Sequence, residues 1–294
     1  MAIKTVIVVI NNVPTTLTYS EVSGKYEGTI TAPAKSSYAE PNGSYPVSVT
    51  AEDTAGNSTT KSSADGDGVV PALYVRSTNK PVIEIVSPTA GAILSNNVPN
   101  IVFKVTGTDA GVNVEETVLK VDGQVASGVT HTSKENVFTF TYTPSTALAD
   151  GSHTIEITAK DNDGNAAETA TASFTVDTVP PTLNITQPTQ NLVTKNASLI
   201  VAGTTNDVTS SPVTVAVNGS TVAVNPDGTF STTVTLTEGT NTITVIATDK
   251  AGKQSTVTRT VTLDSVAPNI TAVTIEPNPV DVGQTFVISV TVTD

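Results

Sequence analysis

The residues best suited to chemistry in this 294-residue sequence are the acidic and amide side chains of Asp161-Asn-Asp-Gly-Asn165. Alternating oxygen-bearing residues around a glycine turn are typical of the first half of a calcium-binding loop. A complete loop also needs a bidentate glutamate at its far end, and Glu168 comes too early to supply it. Asp177, in the linker that follows, adds a carboxylate if the loop reaches the linker. We therefore predict a calcium site at Asp161, Asp163 and Asp177, with simple tight-turn formation as the alternative.

The other reactive side chains do not form a catalytic set. The sequence contains two histidines, His131 and His153, and no cysteine, which excludes thiol catalysis, disulfides and thiolate metal sites. His153 stands at a strand start where two similar segments have Tyr45 and Asn241, which indicates a corner or capping role. Most acidic residues fall in turns rather than in the cleft that paired catalytic carboxylates need. We predict no enzymatic activity, no catalytic residue and no cofactor apart from the calcium candidate.

Composition restricts both the fold and the partners. Threonine (54) and valine (43) make up a third of the chain, and their branched Cβ atoms favour strands. The net charge of −13 repels phosphate backbones, so we expect no nucleic-acid binding. No apolar run approaches the roughly 18 residues of a membrane helix, and the first ten residues do not form a signal peptide. We therefore expect no membrane insertion.

Three segments share one pattern, in which a glycine turn precedes an alternating strand and an aspartate ten residues after that glycine opens a second turn. These aspartates are Asp53, Asp161 and Asp249. The strand between the turns alternates apolar and polar residues, as at Ile243 and Val245, which is typical of a strand with one buried face. A further hairpin precedes each copy, with its turn at Asn11-Asn12, Asp122-Gly123 or Asn218-Gly219. The pattern predicts a repeated, hairpin-based β-structure.

The repeats also define the domains. The second and third copies begin with strands marked by Pro81 and by Pro180-Pro181, and each contains about seven short strands. This is the size and rhythm of an immunoglobulin-like sandwich of roughly 100 residues. We predict an all-β chain of tandem immunoglobulin-like β-sandwiches, with segments at 1–80, 81–178, 179–265 and 266–294.

The first and last segments each lack part of a sandwich. Segment 1–80 lacks the first two strands, and segment 266–294 supplies only two, so each has an apolar face that it cannot bury alone. Aligning Asp294 with Asp109 and Asp207 identifies the last strands as the missing ones. We predict a strand-completion interface between the two segments, formed by Val6, Val8, Ile10, Phe286, Ile288, Val290 and Val292.

This completion has two possible routes. Head and tail of one chain close on each other, or the tail of one copy docks on the head of the next and builds rings or filaments. In the alternative without completion, residues 1–80 form a smaller self-sufficient sandwich and the C-terminal strands form an extra, frayed hairpin.

Particular motifs carry a family resemblance. Asp53-Thr-Ala-Gly-Asn57 and Thr175-Val-Asp-Thr-Val-Pro-Pro181 resemble bacterial immunoglobulin-like modules, fully over the second and third segments and partly over the first. Met1-Ala-Ile-Lys-Thr5, Gly24–Pro33 and the stretch from Pro277 to Asp294 are similar to an immunoglobulin-like protein of phage and prophage tail regions. That resemblance implies no catalytic residue, and it implies a location in the virion with release by lysis.

The function implied by the resemblance is structural. A phage or phage-like tail component of this type would act as a spacer or as a host-surface-contacting module. Its partners would be itself, a neighbouring tail protein, and a host cell-surface glycan or protein. The alternative is a fragment of a secreted bacterial surface adhesin, or accessory immunoglobulin-like modules of a polysaccharide-degrading enzyme.

Overall fold

The computed structural model describes residues 2–294, and their regular structure is almost entirely β-strand. Three single-turn 3-10 helices occur, at Ser37–Ala39, Pro41–Gly43 and Ser63–Asp65. No helix among residues 2–294 has the length and apolar character needed to cross a membrane. The chain divides into two compact units, residues up to 92 with 98–175, and residues 93–97 with 176–294.

The N-terminal part of the first unit is one antiparallel sheet with the strand order β3-β2-β1-β4-β5. Its strands are β1 (Ile3–Ile10), β2 (Val13–Ser20), β3 (Lys25–Glu27), β4 (Val47–Asp53) and β5 (Ser58–Ser62). The register pairs Val8 with Thr15 and with Val49, so the apolar residues of the central strands share one face. Asn11 and Asn12 both have positive φ, as a two-residue type I′ hairpin between β1 and β2 requires.

The second repeat contains two antiparallel sheets. Its strands are β6 (Val82–Ser87), β7 (Ile93–Leu94), β8 (Ile101–Thr106), β9 (Asn113–Val121), β10 (Gln124–Val125), β11 (Thr130–Lys134), β12 (Val137–Tyr142), β13 (Gly151–Lys160) and β14 (Ala170–Val176). One sheet has the order β11-β12-β8-β6, and the other contains β10, β9, β13 and β14 in that order. Alternate residues of β8, namely Ile101, Phe103 and Val105, are fully buried, and the Phe103 ring stacks on Phe140 with centroids 4.9 Å apart. Period-two alternation therefore builds the core of this repeat.

The third repeat has the same two-sheet plan. Its strands are β15 (Thr182–Gln187), β16 (Leu192–Thr194), β17 (Ser198–Asn206), β18 (Thr214–Val217), β19 (Ser220–Val222), β20 (Thr229–Thr235), β21 (Gly239–Thr248) and β22 (Gln254–Leu263). The sheet orders are β15-β17-β20 and β16-β22-β21-β18-β19. Side chains from both sheets, including Val201, Phe230 and Val245, form one buried cluster. The predicted all-β class of tandem sandwiches is confirmed.

The last two strands, β23 (Asn269–Glu276) and β24 (Val287–Thr293), form a separate two-stranded antiparallel sheet. In residues 2–294 this hairpin has no third strand beside it.

Gly203 lies at a closely packed point of the third sandwich. It sits in the middle of β17, where an added Cβ would lie 2.3 Å from the Asn184 carbonyl oxygen and 2.8 Å from the Phe230 ring. Because Phe230 is buried, its ring has little room to move aside.

We expect Gly203→Ala to destabilise the third domain by about 1–3 kcal/mol, because the added methyl group overpacks the core. Calorimetry of the full chain should show one unfolding transition shifted to lower temperature. Ser231→Ala on β20 is the control, since Ser231 is exposed and its truncation should change stability by no more than about 0.5 kcal/mol. Equal stability of the two variants would contradict this account of the packing.

Candidate functional site

Three buried aspartates meet at one end of the third repeat. Asp177 lies in the segment before β15, Asp207 follows β17, and Asp249 follows β21. One carboxylate oxygen of each lies within 4.8 Å of the corresponding oxygens of the other two. Their exposed fractions are 1%, 8% and 6%, and no ion pair within residues 2–294 joins any of them to a lysine or arginine. Three carboxylates are therefore gathered away from water without a paired cationic side chain.

Backbone amides and one hydroxyl hold two of these carboxylates in place. Asp207 Oδ1 accepts hydrogen bonds from the backbone N–H groups of Thr209 and Ser210, each at 2.8 Å. Asp177 Oδ1 accepts from the Val179 N–H at 3.2 Å, and its Oδ2 accepts from the Ser210 hydroxyl. Ser210 is fully buried and donates to both carboxylates, so it links the two loops that carry these aspartates.

Asp249 has an oxygen that no donor satisfies. Its Oδ1 accepts from the backbone N–H of Lys253 at 2.8 Å, and its own N–H donates to the Lys253 carbonyl at 3.1 Å. Oδ2 is buried and has no hydrogen-bond partner among the described residues. A buried carboxylate oxygen without a donor is costly, because it has lost water and gained nothing in return.

The predicted calcium ligands Asp161 and Asp163 make other contacts. Asp161 is buried, and its Oδ1 accepts from the N–H groups of Asp163 at 3.0 Å and Asn165 at 2.8 Å, while its Oδ2 accepts from the Asn165 amide at 2.8 Å. Asp163 Oδ2 accepts from the Ser77 N–H at 2.6 Å. These bonds are typical of a tight turn, which was the alternative to a calcium site at Asp161 and Asp163. The carboxylates that lie close to Asp177 are those of Asp207 and Asp249, which belong to the same compact unit as Asp177.

The two aspartates that join Asp177 were missed as ligands because each is far from it in sequence. Their signal is positional, since Asp207 and Asp249 each follow a long strand of the same repeat. Strand ends that share one end of a sandwich bring such residues together only after the sheets have paired.

The second repeat carries a similar arrangement in which a serine stands at the position of one aspartate. Ser77 lies five residues before β6, as Asp177 lies five residues before β15, and Asp109 corresponds to Asp207. The Ser36 N–H donates to Asp109 Oδ2 at 2.6 Å and the Ser77 hydroxyl donates to Oδ1 at 2.8 Å, and these bonds lower the pKa of Asp109. Here a serine supplies a donor where the third repeat has an additional carboxylate.

The hairpin β23–β24 exposes a continuous apolar face. Its register pairs Val273 with Val290 and Ile275 with Ile288, so these side chains point to the same side. The exposed fractions on this side are Ile270 62%, Val273 56%, Ile275 41%, Phe286 48%, Ile288 55%, Val290 50% and Val292 53%. The opposite side is mainly polar and includes Thr274, Ser289 and Thr291. The predicted donor residues are thus accessible in the described structure.

The predicted acceptor residues on the N-terminal sheet differ in how far they are buried. Val6 and Val8 are buried in the described structure, and their place in the strand-completion interface stays a prediction. Ile10 and its face neighbour Val49 are only half-buried, whereas Val245, the equivalent of Val49 in the third repeat, is fully buried. The first sheet therefore has a less complete cover than the sheets of the later repeats.

His153 has a structural role at a strand corner. Its Nε2 lies 2.7 Å from the Ala149 carbonyl oxygen and its Nδ1 lies 2.7 Å from Asp122 Oδ2. Asn241 makes a similar bridge in the third repeat, where its side-chain amide donates to the Thr237 carbonyl at 2.7 Å. The corner role predicted from the sequence is confirmed by these bonds.

The His153–Asp122 pair also makes stability depend on pH. Burial opposes protonation of the imidazole, but its hydrogen bonds to Asp122 and Ala149 outweigh burial, so the pKa of His153 is raised in the folded chain. A raised folded-state pKa adds stability below the unfolded-state value of about 6.5 and loses that stability as pH rises through the folded value.

We therefore expect the unfolding temperature of the second repeat to fall as pH rises from roughly 6 to 8. His153→Gln should remove this slope in a pH series of calorimetric scans. His131→Gln, which changes an exposed histidine on β11, should keep it. A His153→Gln profile identical to that of the unmodified chain would refute the linkage.

Comparison with known families agrees with the two complete sandwiches. Residues 79–178 match a family model described as bacterial Ig-like domain, and residues 181–265 match one described as glucodextranase, domain B. These two segments are thus similar to immunoglobulin-like and related bacterial domains, in agreement with the tandem β-sandwiches of the structure. Families of such domains are in general non-catalytic. A search among curated proteins finds no significant match.

The chain is also similar to several solved structures. The fibronectin(III)-like modules of CbhA from Clostridium thermocellum are 18% identical over 62% of this chain and 94% of that one, with a TM-score of 0.40. Titin domains I67–I69 are 13% identical, with coverages of 89% and 88% and a TM-score of 0.40. A tetra-tandem repeat from the extending region of a large adhesion protein is 20% identical, with coverages of 98% and 79% and a TM-score of 0.34. At these scores, no function is transferred from any of them.

Proposed function

We propose that this immunoglobulin-like repeat protein is a non-catalytic structural component of a phage or phage-like tail. It acts there as a spacer or as a host-surface-contacting module, and it leaves the cell with the virion at lysis. Support comes from the resemblance of Gly24–Pro33 and of the C-terminal stretch to immunoglobulin-like proteins of tail regions. Its partners are further copies of itself, a neighbouring tail protein, and a glycan or protein of the host surface.

The observation that carries the assembling role is the exposed apolar face of β23–β24. Val290 is 50% exposed and Ile288 is 55% exposed, whereas the aligned residues Val105 and Phe103 of the second repeat are fully buried. An uncovered apolar strand pair invites pairing with another chain. We infer that this hairpin joins the N-terminal sheet of a second copy by strand addition at the edge of that sheet, which completes a sandwich.

Two features favour a second copy over closure within one chain. The hairpin is separated from the N-terminal sheet by two complete sandwiches and by short linkers that contain Pro180-Pro181 and Pro268. Proline restricts φ and stiffens such linkers, which opposes the reversals that closure within one chain requires.

The strand pairing within the third repeat indicates the register in which β24 would pair with the N-terminal sheet. There β17 pairs with β20, and Gly203 lies opposite Phe230. Phe230 lies two residues after a glycine, near the start of β20, which is the strand before β21. Tyr26 is its equivalent in the first segment, since it also lies two residues after a glycine and in β3, the strand before β4. Since β3 lies at the edge of its sheet, β24 can be added beside it with Val290 opposite Tyr26.

This register can be tested by cross-linking, because the chain contains no native cysteine. We expect a mixture of Tyr26→Cys and Val290→Cys chains to form a disulfide-linked dimer on mild oxidation, since directly opposed strand residues satisfy disulfide geometry. Non-reducing electrophoresis measures the product. Val287→Cys, on the opposite side of β24, is the matched control and should not cross-link with Tyr26→Cys.

Two results would count against docking between copies. A Tyr26→Cys/Val290→Cys double variant that cross-links only within one chain would show that closure is intramolecular. Failure of both the mixture and the double variant to cross-link would remove strand completion altogether.

The tail assignment has its own test. We expect the protein to copurify with tail-containing particles from a lysate of the source strain, as detected by mass spectrometry of particles banded in a density gradient. Its recovery in the medium of unlysed cells, with none in the particles, would overturn the assignment.

The match of residues 181–265 to glucodextranase domain B favours a second candidate, an accessory module of a secreted polysaccharide-degrading enzyme or a piece of a surface adhesin. In that case the chain should cosediment with an insoluble α-glucan such as cross-linked dextran, with cellulose as the comparison polymer.

A further inference from the structure

We propose that Asp177, Asp207 and Asp249 bind one calcium ion at the end of the third domain where the preceding linker enters. This inference is independent of the proposed function, since it concerns residues of one sandwich and needs neither a second copy nor a tail.

The spacing of the three carboxylates fits a common ion. Two oxygens bound to one calcium ion at about 2.4 Å lie at most about 4.8 Å apart, and one oxygen from each of the three aspartates falls within 4.8 Å of the others. One oxygen from each aspartate supplies three of the six to eight oxygens that calcium prefers, and water would supply the others.

The unsatisfied oxygen is the independent observation that points to a ligand. Asp249 is only 6% exposed, so it is more than nine-tenths buried. Its Oδ1 accepts a hydrogen bond from the Lys253 N–H, and its Oδ2 has no donor among residues 2–294. Oδ2 is thus the oxygen free to face the neighbouring carboxylates. A divalent cation would satisfy it and would also offset the mutual repulsion of three buried negative groups.

Calcium fits this site better than magnesium. Magnesium requires nearly ideal octahedral geometry at 2.0–2.1 Å and keeps several of its waters. Asp177 and Asp207 each accept a hydrogen bond from Ser210, and the flexible coordination of the larger calcium ion suits carboxylates that also keep protein donors.

The second repeat indicates why only one ion per chain is expected. Ser77 occupies the position of Asp177 and donates its hydroxyl to Asp109, so that site satisfies its carboxylates with protein donors. Asp161 likewise accepts three hydrogen bonds within its own loop. Two differences therefore separate a self-sufficient corner from one that needs a cation. Ser77 stands in place of Asp177, and the Asn165 amide satisfies Asp161 Oδ2, whereas Lys253 leaves the equivalent Asp249 Oδ2 without a donor.

The test is calcium titration of the full chain after EGTA treatment. We expect isothermal titration calorimetry to show one site per chain, and the unfolding temperature of one transition to rise with calcium. Magnesium at the same concentration should give a smaller rise. Absence of any calcium-dependent heat and of any change in unfolding temperature would overturn the proposal.

Asp249→Asn is the decisive variant. It keeps the acceptor for the Lys253 N–H and replaces the unpartnered oxygen with an amide donor that can bond to the adjacent carboxylates. We expect it to lose the calcium response while unfolding in EGTA at the same temperature as the unmodified chain or higher. If Asp249 served only to stabilise the fold, Asp249→Asn would instead unfold at a lower temperature than the unmodified chain both in calcium and in EGTA.

Asp227→Asn is the matched control, because Asp227 is an exposed aspartate of the same domain that lies outside the cluster. It removes the same charge and should keep the full calcium response. An equal loss of response in both variants would mean that calcium acts through general surface charge, which would also overturn the proposal.

Discussion

Each sheet of this protein has one apolar face, and burial of that face against a second sheet is the interaction on which the rest of the structure depends. In the second and third repeats, alternate residues of β8 and β17 meet the apolar face of β13 and β21, and the side chains on those faces become inaccessible to water. This packing also brings together the ends of strands that belong to different sheets. The aspartate cluster of the third repeat is therefore a product of sheet packing rather than of local sequence.

The same constraint explains which features the sequence predicts. Period-two alternation, the glycine turns and the repeated aspartates identify the all-β fold, because each depends on residues a few positions apart. The corner role of His153 follows in the same way, since it is inferred by comparison with Asn241 at the equivalent position. Features that depend on contacts between residues close in sequence can therefore be predicted from the sequence pattern.

Other features depend on distances that no local pattern encodes. The grouping of Asp207 and Asp249 with Asp177 requires knowledge of which strand ends share one end of the sandwich. Likewise, alternation assigns Val6 and Val8 to an apolar face but does not reveal how far each of them is buried. Asp161 has the composition of a metal ligand, yet both oxygens of its carboxylate accept hydrogen bonds from amides of its own loop.

The position of Asp177 has a mechanical consequence. It precedes β15 by five residues and is tied to the loop after β17 through Ser210, so pulling force that enters the third domain from its N-terminal side reaches this tie before it reaches any strand of the sheet. The first barrier to extension is then a buried polar anchor, and the β15–β17 hydrogen bonds bear load only after it fails. In a spacer under tension, the strength of a whole domain can in this way be set by one residue that lies outside its strands.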